Sequence, residues 1–155
     1  MALIDILKAA RSVFVCATMG IAVPIGPAIA ADVPTYSASD PYEMAIIDVA
    51  QTEAERQMGR PLLLRVESLQ HKDGWAFLYS NMIDENGDPL DLTGSRLEEA
   101  AREGGASRVF CALLKQTAGG WNIVDSCLGV TDMAWVGWDE KHHAPPDIME
   151  LQSID

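Results

Sequence analysis

One helix is written into the chain at both of its ends, between Asp40 and Pro61, and it limits what the rest can be. Asp40 can accept from the first exposed amides, Pro41 suits the first helical position, and Glu43 stands three residues after Asp40, as in a capping box. Tyr42, Ile46, Val49, Ala50 and Ala54 then recur at steps of three to four, with Met58 near the end. Glu43, Glu53, Glu55 and Arg56 are left for water. Gly59 can close the last turn and Pro61 forbids continuation. The spacing predicts one amphipathic helix over about 41–58, whose single apolar face must be laid on something else.

The segments beyond Pro61 read as strands. Leu62 to Leu69 ends in alternation, with Leu64 and Val66 on one face and Arg65 and Glu67 on the other. Lys72-Asp73-Gly74 is a turn signal, and Trp75 to Met82 reads as the returning arm of a hairpin. Asp84 to Pro89 is turn-rich and superficially like a calcium loop. The positions that such a loop reserves for Gly and Glu hold Pro89 and Ser95, so a surface turn is expected. Ser95 to Arg102 has the form of a short helix, capped by Ser95 with Glu98 three residues on. Val109 to Gln116 and Trp121 to Val130 flank Thr117-Ala118-Gly119-Gly120, a second hairpin. A helix followed by four strands predicts an α+β fold: one long N-terminal helix packed on a curved antiparallel sheet of about four strands, in cystatin-like or NTF2-like outline.

The first thirty residues are set apart from this domain. Lys8 and Arg11 precede a mostly apolar run, Val13 to Ile25, and Ala28-Ile29-Ala30 offers the small residues that signal peptidase requires. The run is too short and too rich in Gly and Pro for a spanning helix, which needs about 20 apolar residues. Cys16 follows Val15 rather than a small residue, which disfavours a lipoprotein. The expectation is a signal peptide over 1–30, a single domain over 31–155, and a periplasmic or secreted protein with no membrane span after cleavage. The formal net charge of −12 becomes −13 once Lys8, Arg11 and Asp5 are removed. Such a surface repels nucleic acid and anionic headgroups.

Two cysteines remain after processing. If the second hairpin turns about Gly119, Cys111 and Cys127 face each other, and in an oxidising compartment a disulfide is expected. The alternative is a reactive thiol, which needs a lowered pKa and is not supported by any Cys-x-x-Cys.

The most distinctive stretch is Gly129 to Trp138, which contains Thr131-Asp132-Met133-Ala134-Trp135 and a second tryptophan, followed by Ala144-Pro145. It resembles the closing segment of small uncharacterised exported bacterial proteins with a Thr-Asp-x-Ala-Trp run. The resemblance implies an exported, folded domain and carries no catalytic assignment. Trp135 and Trp138 can serve as lids on the core or as a ligand platform. Asp132, Tyr79 and His142 join them as candidate ligand-binding residues.

Asp139-Glu140-Lys141-His142-His143 invites a metal reading, but adjacent histidines diverge on a strand or helix, and His71 is expected in a distant turn. The expectation is a solvated polar segment, no metal site and no cofactor. No Gly-x-Ser-x-Gly elbow, His-Glu-x-x-His or phosphate loop is present. Scattered acid–base chemistry in a pocket would first involve Asp125, Asp132, Tyr79 and His142. The function expected is therefore a non-enzymatic exported module binding a small molecule or an envelope protein. The alternatives are an NTF2-like pocket enzyme, either hydrolase or isomerase, and an inhibitor or assembly partner using a sheet edge.

Overall fold

A computed structural model describes residues 40–151, all within one compact unit. The expected leader, 1–30, lies outside the described residues. The order of elements is α1 (Pro41–Met58), β1 (Leu63–Lys72), β2 (Trp75–Ile83), α2 (Glu98–Arg102), β3 (Val109–Thr117), β4 (Gly120–Leu128) and α3 (Trp138–His142), closed by a 3₁₀ turn, Pro146–Met149. The fold is α+β, with one four-stranded antiparallel sheet in the order β1-β2-β3-β4.

The helix starts and stops where its caps say. Asp40 Oδ1 accepts from the Tyr42 amide at 2.9 Å, and Gly59 closes the helix in the left-handed region at φ 73°. Glu43 does not complete a capping box; its carboxylate lies 3.9 Å from His71. Ile46, Ala50, Ala54 and Met58 face the sheet and meet Ala76, Leu78, Ala112 and Leu114. Alanines on both sides let the helix axis come close, so side chains fill the helix–sheet interface.

The first hairpin turns on Asp73 and Gly74, both at positive φ, as a two-residue type I′ turn requires. His71 is therefore in strand β1, paired with Ala76, and not in a turn as expected. Asp84 Oδ1 accepts from the amides of Asn86 and Asp88, so this carboxylate closes its own loop. β4 ends at Leu128, two residues short of the expected Val130, because Gly129 turns the chain at φ 71°.

The second face of the sheet is covered too, by a segment far along the chain. Trp75, Phe77, Cys111, Leu113 and Cys127 lie under Trp135, Trp138, Ile148 and Met149 from the C-terminal segment. This segment, residues 131–151, is a strap with polar anchors at both edges of the sheet. At β4, Asp125 receives Lys141 Nζ at 2.7 Å and His142 Nε2 lies 2.8 Å away. At β1, Lys72 Nζ donates to Asp147 at 2.7 Å and Gln70 donates to the Glu150 carbonyl at 2.7 Å. The segment expected to be solvated thus contains a short helix whose His142 side chain is only 17% exposed.

Candidate functional site

Each edge strand carries one extra residue. In β1 it is Glu67, between Val66, paired with Ser80, and Ser68, paired with Tyr79. In β4 it is Val124, between Ile123, paired with Leu114, and Asp125, paired with Leu113. A bulge re-aims the side chains beyond it. Trp121 and Ile123 point toward α1, and alternation alone would send Asp125 the same way. The extra residue turns Asp125 to the strap face instead, opposite Leu113, where Lys141 and His142 reach it.

Asp125 is the electrostatic centre of this end. Its Oδ1 accepts from the Ser126 amide at 3.0 Å while Oδ2 serves Lys141 and His142. Desolvation would raise this carboxyl; the hydrogen bonds from Lys141, His142 and Ser126 and the Lys141 charge outweigh it, holding the group below the usual aspartate range. The arrangement is a carboxylate with a positioned imidazole, the orienting half of an acid–base unit. No serine or cysteine nucleophile is hydrogen-bonded to His142 among the described residues.

The candidate tryptophans come together. Trp135 packs on Phe77 with ring centroids 5.6 Å apart and on Tyr79 at 5.5 Å, while Trp138 meets Phe77 edge-on at 6.4 Å. Both are buried, so of the two roles open to them each is first a lid on the second core. Tyr79 lies half-buried beneath Trp135. His142 is recruited to Asp125 on the β4 side. Asp132 is exposed on the strap, with no side-chain hydrogen bond among the described residues.

The strap also makes a feature that no single candidate residue announced. Met133, at 63% exposure, and Val136, at 72%, flank the buried Trp135, and Leu151 adds a third exposed apolar side chain. Together with Met149 they line an open groove of about 440 Å³, with Asp139 and Glu150 on its rim. Gly137 at φ 83° turns the chain between Val136 and α3 and so sets the shape of one wall. The clue in the sequence was Met133 and Val136 standing on either side of Trp135, since no one strand face can bury all three together.

Cys111 and Cys127 are joined by a disulfide, Cα to Cα 5.1 Å, beneath the strap. Among the described residues there is no group of three or more His, Cys, Asp or Glu placed to hold a metal ion. No helix among them is long and apolar enough to cross a membrane. No protein-family model matches the chain, and no curated protein and no solved structure matches it.

Proposed function

We propose that this is an exported, non-enzymatic binding module, periplasmic or secreted, that uses its strap face to hold a protein partner or small ligand. The observation that carries this reading is the pair Met133 and Val136, exposed on either side of a buried tryptophan and lining one groove. Exposed apolar side chains gathered on one groove, rather than scattered singly, suit an interaction site. The Cys111–Cys127 disulfide supports an oxidising compartment. Of the two fold outlines expected, the filled interface between α1 and the sheet favours the cystatin-like one, since an NTF2-like pocket would need that space.

A second reading is supported by one specific contact, Asp125 to His142 at 2.8 Å. A carboxylate-oriented imidazole is the core of many acid–base sites. That reading, the pocket hydrolase or isomerase, needs a substrate cavity beside His142, and neither residue lines the strap groove. The third, an inhibitor or assembly partner working through a sheet edge, has against it a bulge in each edge strand, which blunts edges for pairing.

A thermal-shift screen run beside a panel of ester, phosphate, peptide and glycoside substrates separates these readings. The module reading expects a rise in melting temperature with a ligand or partner and no turnover. Reproducible turnover abolished by Asp125→Asn or His142→Ala would replace it with the pocket enzyme.

A further inference from the structure

We infer that the strap groove takes a cationic amphipathic segment of a partner protein, its apolar side chains seated among Met133, Val136, Met149 and Leu151 and its lysines or arginines against Asp139 and Glu150. The inference rests on the module reading and names its partner.

Three observations select this occupant. The groove is open and most of the residues that line it are apolar, which suits an extended or helical peptide lying across it. A small polar molecule would want convergent buried polar groups to orient it. Next, the rim is acidic and the neighbouring cations are already engaged. Lys141 is held by Asp125 and Lys72 by Asp147, while neither Asp139 nor Glu150 has a side-chain partner among the described residues. A docking cation therefore meets two carboxylates and no competing lysine. Finally, the chain as a whole carries a net charge of −12. A second copy would bring like charge to the same rim, and an anionic membrane surface would be repelled, whereas a basic segment is drawn in.

The test uses the oxidised exported protein and a fluorescein-labelled peptide of about 14 residues with Lys and Leu at helical spacing. Two companion peptides replace every Lys by Glu or every Leu by Ser. Anisotropy is read at about 150 mM salt, where long-range attraction between exposed charges is largely screened. The Lys/Leu peptide should bind and both companions should bind much more weakly. Met133→Ser with Val136→Ser should weaken binding by about tenfold or more, as loss of central apolar anchors does. Asp139→Lys with Glu150→Lys should weaken it as well and admit the Glu/Leu peptide. Met44→Ser with Leu63→Ser, exposed apolar residues outside the groove, should leave binding unchanged. All three variants change exposed or rim positions, and unchanged melting temperatures certify that they fold.

No binding of the Lys/Leu peptide would overturn the inference. So would equal binding of the Ser-for-Leu peptide, which is general charge attraction, or unchanged binding by the Met133→Ser, Val136→Ser variant. Each of these leaves the module reading intact if a ligand still raises the melting temperature. Turnover dependent on Asp125 and His142 would remove the module reading itself.

Discussion

Cys127 lies opposite Cys111, Cα to Cα 5.1 Å, because Val124 is one residue too many in β4. Near the turn the ladder pairs Thr117 with Gly120 and Leu114 with Ile123, a register that would set Cys111 against Ser126. The bulge shifts the pairing by one and brings the sulfurs to the same face. It also turns Asp125 toward the strap, so one irregularity serves both the covalent and the ionic tie at this end.

The disulfide should matter for stability. Replacing both cysteines by alanine should cost about 3 kcal/mol in the chain-entropy account, a fall in melting temperature of about 10 °C for a domain this size. Differential scanning calorimetry of oxidised protein and variant checks this; equal melting temperatures would contradict it.

The strap's tie at β4 should be acid-sensitive. The Asp125 carboxyl is held below its usual range, so its contribution is full above the unfolded value of about 4 and is lost as the pH falls through the lower, folded one. Melting temperatures of the protein and of Asp125→Asn should differ at neutral pH and converge below about pH 4. A constant gap down to about pH 2 would show that the charge contributes nothing.

Adjacent strap residues should behave oppositely. Trp135 is 6% exposed against Phe77 and Tyr79, so Trp135→Ala should destabilise by about 3–5 kcal/mol. Val136, 72% exposed, should tolerate serine within about 0.5 kcal/mol. Denaturant titration of the two variants measures both, and a loss below about 1 kcal/mol for Trp135→Ala would remove it from the core.

Gly129 is fixed by two requirements at once. Its φ of 71° is left-handed, and a Cβ there would stand 2.7 Å from Leu97 Cδ1. Gly129→Ala should cost about 1–3 kcal/mol. Adding Leu97→Ala should recover part of the cost of the clash and none of the backbone strain, which a double-mutant cycle resolves.

Much of this architecture could be read from local pattern. Asp40, Pro41 and Gly59 bound the helix because capping acts within a turn of the chain, and Asp73-Gly74 sets a hairpin because the turn itself demands positive φ. The strap was less legible. β2 and β3 are apolar at both parities, with Trp75, Phe77 and Tyr79 alternating with Ala76 and Leu78, which is the mark of a sheet covered on two faces. The cover itself comes from residues far along the chain, and Asp139 to His143 look solvated until Asp125 is seen to hold Lys141 and His142. Glu67 and Val124 carry no local sign of being bulges; the pairing register alone reveals them. The tryptophans were therefore found by residue type and the cysteine pair by its spacing about Gly119, whereas Met133, Val136, Glu150 and Leu151 became a groove only when the strap was seen on the sheet.

Site-specific photocrosslinking in exporting cells tests the binding account most directly. A benzophenone amino acid placed at Val136, in the groove, is compared with one at Met44, exposed on α1. The account predicts a discrete crosslinked envelope protein from position 136, joined through a segment rich in Lys or Arg, and none from position 44. Crosslinking from position 44 with none from 136 would contradict it.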